Sequence, residues 1–350
     1  MREAIQKVAV GPDRGRDMSR DEAYSVMKGI LGGQSDEIQV AVLLIALRMK
    51  RESIDEFLGL FDAMQESVAT VSSNVEELFT LADPFDGYVR TASMTPFIPA
   101  ALSACGYHSL IHGVETVGPK HGITAHKVYK LAGIDVDMSA IEAERCISEF
   151  GWGYVDQSNY AKSLFSLNDL RDRIVKRTAI TSLERLLMPV RAQQTHLVLG
   201  YVHKAYPSIY ARIASSAGYD STLLLKGVEG GLAPALNKPL RQFFIRGQLP
   251  EDVDQQKQLF ESAELFTSSN AAYSLNLENG FDSTQAVLEC LETGLDVLKG
   301  KKNEARESLC LAVGQILFAH KKNQTLIEAV KKVESKLDDG SVLEHFTVLI

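Results

Sequence analysis

Residues 83–133 read DPFDGYVRTASMTPFIPAALSACGYHSLIHGVETVGPKHGITAHKVYKLAG and decide the fold that we expect for this chain. The first five form a turn, because Pro fixes φ, Gly tolerates positive φ, and Asp side chains form local hydrogen bonds. The pattern then predicts a helix from about Pro96 to Cys105 and a short buried strand that ends at His112-Gly113. A polar loop containing Lys120 leads into another helix. Loops that follow strands and open onto helices bind anions in α/β proteins, so this stretch predicts an anion site.

Two hydroxyl side chains precede the first of these helices. Ser93 and Thr95 stand where a helix beginning near Pro96 needs its cap, and Pro is tolerated at the first helical position. The same hydroxyls are also suited to contacting a phosphate. The sequence leaves both interpretations open.

The composition is typical of a globular protein of the cytoplasm. The chain has 350 residues, of which 45% are hydrophobic and 23% charged, so it can bury a large core and more than one domain is expected. Four widely spaced cysteines favour reduced core thiols over disulfides or metal ligands. We find no segment typical of a membrane span or signal peptide and therefore expect a cytoplasmic protein with no membrane partner. A net charge of -8 argues against general nucleic-acid binding but permits a local basic groove.

The first 72 residues predict a small helical domain. Ser19-Arg20-Asp21-Glu22 and Ser53-Ile54-Asp55-Glu56 are capping boxes, each followed by apolar residues at helical spacing. Between them, the helix predicted from about Asp36 to Met49 is apolar on most of its circumference. A surface helix has a single apolar stripe, so this helix indicates packing against another subunit or domain.

From about residue 75 strands and helices alternate, which predicts a mostly parallel sheet flanked by helices. The expected fold is therefore α/β, with a helical N-terminal domain over 1–72 and a larger α/β domain over 73–350. Residues 158–190 look helical, are expected to join the N-terminal helices, and carry the densest basic cluster in the chain. Residues 241–266 are polar and give no clear assignment.

These local sequences together resemble anthranilate phosphoribosyltransferase and the related nucleoside phosphorylases, the glycosyltransferase family 3. The resemblance covers roughly residues 15–335, including Ala46-Leu47-Arg48-Met49-Lys50, His112-Gly113 and the Gly-rich stretch Lys226–Gly231. It implies the fold described above, and it implies a phosphoribosyl pyrophosphate site at the 83–133 stretch.

The phosphate motifs of that family are altered here. Its Gly-Thr-Gly-Gly-Asp-Gly loop corresponds to residues 83–88, where Asp83, Phe85 and Asp86 replace small residues. Two carboxylates there would repel a pyrophosphate, and Pro84 removes an amide. The family's Asn-x-Ser-Thr corresponds to 93–96, and its Lys-His-Gly-Asn-Arg keeps only His112-Gly113.

The metal motif is altered as well, whereas two basic positions are kept. The family's magnesium-binding Asp-Glu pair falls on Leu232-Ala233, which have no oxygen ligands to offer, so we predict no metal site and no cofactor. Arg171 matches a family arginine that contacts the anthranilate carboxylate, and Arg177 matches a second basic position.

The run from Asp86 to Pro96 is similar to that of the YbiB-type branch of the family. That branch is associated with nucleic-acid binding rather than with the anthranilate reaction. The resemblance implies a homodimer formed through the N-terminal helices and a groove that binds single-stranded nucleic acid. The alternative is a phosphoribosyltransferase with a rebuilt phosphate site and an unidentified acceptor; a lost glycine loop and lost metal ligands weigh against catalysis.

Candidate site residues follow from both lines of reasoning. The expected phosphate or ligand contacts are Asp86, Gly87, Arg90, Ser93, Thr95, His112, Gly113 and Lys120. The expected basic surface consists of Arg171, Arg173, Lys176 and Arg177, and the candidate stacking aromatics are Tyr154, Tyr160 and Phe165. Some of these have a structural alternative: Arg90 as a surface arginine, His112 as a buried hydrogen-bonded histidine, and the basic cluster as a solvated helix face softened by Asp169 and Asp172.

Overall fold

The computed structural model describes residues 1–11, 14–260, 274–275 and 280–350. Its N-terminal part consists of four helices, α1 (Arg2–Val8), α2 (Arg20–Leu31), α3 (Glu37–Lys50) and α4 (Ile54–Glu66). Both predicted capping boxes form: Ser19 and Ser53 accept hydrogen bonds from the third helical amides, and the glutamates there reach back to the cap amides. α2 packs along α4 and α1 along α3, which gives the predicted helical N-terminal domain.

Helix α3 is apolar on two sides, as the sequence predicts. One side, which includes Leu43 and Leu47, is buried within the chain. The other side presents Ile38, which is 74% exposed, and Val42, which is 45% exposed. This chain therefore leaves part of an apolar helix face uncovered.

The larger domain is built on a seven-stranded sheet in the order β4-β3-β2-β6-β7-β8-β9. Its strands are β2 (Glu77–Ala82), β3 (His108–Gly113), β4 (Trp152–Asp156), β6 (Gln194–Gly200), β7 (Ser221–Leu225), β8 (Leu240–Arg246) and β9 (Lys257–Phe260). The first five run parallel, β8 pairs antiparallel with β7, and β9 pairs antiparallel with β8, so the mostly parallel sheet is confirmed. A separate parallel pair joins β1 (Val71–Ser72) to β5 (Val190–Arg191).

Helices cover both faces of this sheet. They are α5 (Ile98–Ala104), α6 (Ala125–Ala132), α7 (Ala140–Phe150), α12 (Tyr206–Ala217), α13 (Ser283–Leu298), α14 (Glu304–Ala319), α15 (Leu326–Asp338) and α16 (Ser341–Thr347). Strand β2 shows how the layers form: Phe79 and Leu81 face one core, and Leu78 faces the other, which continues into the N-terminal helices. Among the described residues, no helix combines the length and apolar character needed to cross a bilayer.

Residues 157–186 are broken into short helices. These are α8 (Gln157–Tyr160), α9 (Lys162–Phe165), α10 (Asn168–Ile174) and α11 (Ala179–Leu183), and a 3₁₀ turn follows over Glu184–Leu186. α10 contacts α3, and α11 contacts both α3 and α4. The division at residue 72 and the assignment of these helices to the N-terminal domain remain predictions.

Two features were not anticipated. The unassigned stretch 241–266 contributes most of β8 and all of β9, while residues 261–266 lie outside the described part of the chain. Antiparallel strands can follow one another without a crossover helix. The alternation of strands and helices that predicts parallel strands therefore does not reveal β8 and β9. The short helix α16 was also missed, although it buries Val342 and Phe346.

Candidate functional site

Three loops meet at the carboxyl edge of the parallel sheet. They follow β2 (residues 83–91), β3 (114–124) and β7 (226–233). The first two are joined by paired backbone hydrogen bonds between Tyr88 and Ile123, with N···O distances of 2.9 and 2.8 Å. Gly87 has φ 73°, and a Cβ there would lie 2.4 Å from the carbonyl oxygen of Ile123, so only glycine permits this approach.

The turn after β2, which the sequence resemblance predicts to correspond to the family's glycine loop, is filled by its own side chains. Phe85 is 2% exposed and packs with Val114 and Val117. Its ring lies edge-to-face against His112 at a centroid distance of 5.5 Å. An aromatic ring therefore occupies space beside the His112-Gly113 strand end.

Asp83 is buried in the same turn. The hydroxyl of Tyr88 donates to its Oδ1 at 2.5 Å. Burial raises the pKa of Asp83 to about 6, although the Tyr88 hydrogen bond and the nearby Arg185 charge oppose the rise. Asp83 is thus a buried group bonded within its own turn.

Ser93 and Thr95 do not cap α5. The helix begins at Ile98 without a side-chain cap, after a 3₁₀ turn over Thr95–Phe97. Instead, Ser93 Oγ accepts from the Thr95 amide at 3.2 Å, and Thr95 Oγ1 lies 3.2 Å from the Tyr88 hydroxyl. The cap interpretation is wrong because the chain forms a side-chain-bonded turn before it becomes helical.

Asp86 is paired with the basic residues of two other loops. Arg177 Nε donates to its Oδ2 at 2.8 Å, and Lys120 Nζ lies 3.9 Å from its Oδ1. Lys120 also donates to the Gly87 carbonyl at 2.8 Å. Asp86, Gly87 and Lys120 are therefore brought together, as the sequence predicts, but they bond to one another.

Glu229, from the Gly-rich stretch after β7, reaches into the same group. Its carboxylate accepts from the amides of Val89 at 3.3 Å and Arg90 at 2.9 Å, and from Lys120 Nζ at 3.1 Å. The nearby Lys120 charge and the amide hydrogen bonds lower the pKa of Glu229, although burial, the largest single influence, acts to raise it. This carboxylate is 1% exposed, so the 227–231 turn closes over the loop that follows β2.

His112 lies in the interior, in agreement with its structural alternative. Its Nδ1 is 2.7 Å from the Tyr160 hydroxyl, and Nε2 has no partner among the described residues. Burial, together with the Arg185 charge, lowers the pKa of His112 to about 3, so the ring is neutral at physiological pH. Gly113 closes β3 and is half-buried.

The predicted basic surface is only partly a surface. Arg171 is 3% exposed and forms a bidentate ion pair with Glu184, with N···O distances of 2.8 and 2.6 Å. Its assignment to a surface is wrong, because the guanidinium turns inward to the buried carboxylate of Glu184. Arg173 is exposed but pairs with Glu37 and Asp169.

Lys176 and Arg177 lie at the exposed end of this cluster. The Arg177 side chain is 44% exposed even though it pairs with Asp86. Two of the candidate stacking aromatics, Tyr154 and Tyr160, are buried in the core, so their assignment as a base platform is wrong. Phe165 is 38% exposed.

Arg185 has a structural role that the sequence does not reveal. It is buried and donates to the carbonyls of Ala82, Asp83, Gly200 and Gly230 at 2.8–3.1 Å. It therefore ties the ends of β2 and β6 to the 227–231 turn.

An open cleft of about 740 Å³ lies beside the filled turn, between the N-terminal helices and the sheet edge. Six Lys or Arg side chains line it against three carboxylates, although the chain as a whole carries a net charge of -8. The lining cations are Arg48, Arg51, Arg90, Lys120, Arg177 and Arg185. The cleft is thus locally cationic.

Aromatic groups stand on the wall formed by β6 and α12. Tyr206 is half-buried and lies 6.1 Å from the exposed ring of His203. Tyr201 and Tyr210 line the cleft behind them. The sequence did not predict Arg48 as a cleft residue, although it lies in the family-like segment Ala46–Lys50. It did not predict Tyr206 either, because no local pattern indicates that an aromatic side chain faces a cleft.

The fold is thus a small helical bundle on an α/β domain, with a cationic cleft at the carboxyl edge of the parallel sheet. Sequence models for the helical bundle domain and the a/b domain of a glycosyl transferase family match residues 2–68 and 90–343. The chain belongs to this family, glycosyl transferase family 3.

Individual relatives agree with that placement. Anthranilate phosphoribosyltransferase of Paracidovorax citrulli is 25% identical over 342 residues, which cover 96% of this chain and 93% of the relative. An uncharacterized protein of Aquifex aeolicus is 28% identical over 265 residues, covering 72% of this chain and 80% of the relative. The crystal structure of anthranilate phosphoribosyltransferase from Thermus thermophilus superimposes with a TM-score of 0.75 at 17% identity, covering 99% and 98% of the two chains.

Leu232 and Ala233 are the residues that the sequence resemblance predicts at the family's metal position, and they do not fit magnesium. Leu232 is fully buried and Ala233 is 9% exposed, and neither side chain has an oxygen to coordinate a hard cation. Among the described residues, no group of three or more His, Cys, Asp or Glu side chains is arranged to hold a metal ion.

Proposed function

We propose that this protein is a diverged anthranilate phosphoribosyltransferase-like homodimer of the cytoplasm that binds single-stranded nucleic acid through its phosphate backbone. The observation that carries the proposal is the cationic cleft within an acidic chain. Clustered charge, rather than net charge, sets the potential inside a cleft with low-dielectric walls. We also propose that the chain is related to the YbiB-type branch of the family.

The filled turn supports a binding role over phosphoribosyl transfer. Phe85 takes the space of a glycine, while Asp86 and Glu229 already bind the nearby cations and amides. Electrostatic stabilisation of a departing pyrophosphate requires such groups to be free for the substrate.

The cleft mouth offers what a nucleic-acid strand requires. Arg51 and Arg90 are exposed there, with Arg90 Nε 3.9 Å from Glu229, and Arg177 is partly exposed although it pairs with Asp86, so three guanidinium groups lie at the cleft mouth. Tyr206 and His203 provide rings on which a base can stack. The predicted basic surface is therefore replaced in this proposal by the cleft mouth, which retains Arg177.

The homodimer is supported by the uncovered face of α3. Ile38, Val42 and Ile45 line a groove of about 420 Å³ together with Leu170 and Ile174 of α10. Exposed apolar side chains grouped on one helix mark an association surface. A second copy of the same face would bury them.

A binding comparison tests the nucleic-acid proposal. Fluorescence anisotropy with a labelled single-stranded oligonucleotide at low salt compares the wild type, Arg51→Ala/Arg90→Ala and the control Lys331→Ala. We expect the double variant to bind about tenfold or more weakly, and the control to bind as the wild type does because Lys331 is an exposed residue of α15 outside the cleft. Equal binding by all three proteins would refute the assignment of the cleft.

The alternative is a phosphoribosyltransferase with a rebuilt phosphate site, favoured by the exposed Arg90 beside the filled turn. A thermal-shift measurement with phosphoribosyl pyrophosphate and magnesium distinguishes the two functions. A saturable, magnesium-dependent rise in the melting temperature supports transfer. No shift at millimolar ligand supports the binding role.

A further inference from the structure

We infer that His196, at the amino edge of the sheet, is a buried pH sensor that takes up the proton that charges its ring on Nε2, facing Glu77. The two residues lie on neighbouring parallel strands, Glu77 at the start of β2 and His196 near the start of β6. The cleft lies at the opposite, carboxyl edge, so the inference does not depend on nucleic-acid binding.

A chain of hydrogen bonds fixes the protons of this cluster. His320 Nδ1 lies 2.9 Å from the carbonyl oxygen of Ile316, which can only accept, so Nδ1 carries a proton. Burial, the largest influence, lowers the pKa of His320 to about 3, so its ring is neutral and its Nε2 is an acceptor. The Ser221 hydroxyl, 3.0 Å from that Nε2, therefore donates to it.

The same proton assignment extends to His196. Because Ser221 donates its single hydroxyl proton to His320, its Oγ must accept from His196 Nδ1 at 2.9 Å. In the neutral ring, Nε2 of His196 is therefore unprotonated. It is buried, has no hydrogen-bond partner among the described residues, and lies 3.7 Å from Oε1 of Glu77. A lone pair that faces a carboxylate is unfavourable, and one added proton converts this arrangement into an ion pair.

Charges of both signs surround the His196 ring. The titratable or charged groups that face it are Glu77 of β2, Asp220 before β7, Arg246 of β8, and His320 and Lys322 after α14. Burial, the largest influence, lowers the pKa of His196; the two carboxylates oppose this change, and the two cations add to it. The folded protein therefore holds this proton less tightly than the unfolded chain does, so stability is lost as pH falls below about 6.5.

Glu77 connects this proton to the C-terminal helices. Its Oε2 accepts from Nζ of Lys322, which lies in the connection between α14 and α15 and 5.3 Å from the centre of the Tyr107 ring. A charged His196 places a second cation on the same carboxylate and so weakens the attraction of Glu77 for Lys322. Acidification thus loosens a contact between the sheet and this connection.

Long-range ¹H–¹⁵N correlation NMR of the histidine rings of the full chain, from about pH 8 to about pH 4, tests this inference. The proteins are the wild type, Ser221→Ala, Glu77→Gln, Lys322→Met and the control Glu76→Gln. The His196 signals are assigned by their loss in His196→Gln. Glu76 is the exposed carboxylate next to Glu77, so its variant controls for a general loss of negative charge.

We expect neutral His196 to carry its proton on Nδ1 in the wild type and on Nε2 in Ser221→Ala, where Nε2 can donate to Glu77. Glu77→Gln should bind the His196 proton about tenfold or more weakly, because it removes the facing carboxylate. Lys322→Met removes a nearby cation and should bind that proton more tightly, and the control should titrate as the wild type does.

Circular dichroism at neutral pH identifies the folded variants. Three results would overturn the inference, and two of them need only the wild type. They are a neutral His196 with its proton on Nε2, a His196 ring that stays neutral down to about pH 4, and a folded Glu77→Gln whose His196 titration is unchanged or no more shifted than that of the control.

Discussion

Asp83, Asp86 and Glu229 show that the role of a carboxylate depends on the groups that face it. All three lie near one sheet edge, yet Asp83 faces a tyrosine hydroxyl, Asp86 an arginine, and Glu229 two amides and a lysine. Each satisfies a donor that a phosphate ligand would otherwise use. The loops at this sheet edge are therefore held together by contacts within the chain.

Asp83 makes the stability of the protein depend on pH. Its pKa of about 6 lies above its ordinary value of 3.8, so the folded state holds the proton more tightly than the unfolded state does. Stability is consequently lost as pH rises from about 4 to about 6. The Asp83→Asn variant avoids this loss, and its side-chain oxygen still accepts from Tyr88. The unfolding free energy of the variant relative to the wild type should therefore rise by about 3 kcal/mol between about pH 4 and about pH 6.

Urea unfolding of the wild type and Asp83→Asn at a series of pH values measures this effect. Asp55→Asn, which removes an exposed carboxylate, serves as the control. A difference between Asp83→Asn and the wild type that does not change with pH would contradict the buried position of Asp83.

Arg171 and Arg173 form a matched pair, two residues apart on α10. Arg171→Ala leaves Glu184 buried and unpaired, so we expect a loss of about 3–5 kcal/mol in unfolding free energy. Arg173→Ala removes an exposed pair and should change stability by less than about 1 kcal/mol. Denaturant unfolding of both variants checks the prediction, and similar losses would show that Arg171 is not buried as described.

At the scale of helices and strands, local signals were sufficient for much of the fold. The capping boxes at Ser19, Ser53 and Ser139 specify where three helices begin, because their hydrogen bonds lie within four residues. The pairing of Arg171 with Glu184, or of Glu229 with the Val89 and Arg90 amides, joins residues from different elements. No spacing in the sequence reports such a contact, so the site's chemistry was less predictable than its scaffold.

The packing of the 227–231 turn on Tyr88 gives a prediction for two glycines. Gly231→Ala should be strongly destabilising, by about 2–4 kcal/mol, because its Cβ meets the Tyr88 hydroxyl group. Gly29→Ala, in the open interior of α2, should instead stabilise the protein by up to about 1 kcal/mol. Thermal unfolding compares them, and a tolerated Gly231→Ala would mean that the turn is not closed on Tyr88.

At the scale of the whole molecule, the uncovered face of α3 and the cationic cleft both point to partners. Strong charge on one cleft of an acidic chain favours a polyanion, and an apolar helix face favours a second copy. The two surfaces lie at different ends of α3, since Met49 near its C-terminus lines the cleft while Ile38 and Val42 near its N-terminus line the apolar groove. Dimer formation and polyanion binding can therefore be disrupted separately.

Ile38→Asp and Val42→Asp should convert the proposed dimer to a monomer, because each places a charge in the apolar groove. Ile141→Asp, at a position that is 60% exposed on α7, is the control and should leave the mass unchanged. Light scattering coupled to size-exclusion chromatography gives the molar mass. A wild-type protein that is monomeric at all concentrations would refute the dimer.

The central claim is that the cleft mouth binds the phosphate backbone of a single strand. The most direct test is the salt dependence of the wild-type association constant with a single-stranded oligonucleotide. Three contacts, from Arg51, Arg90 and Arg177, predict a linear plot of log K against log salt with a slope of about -2. No binding at low salt, or binding with a slope near zero, would contradict the account.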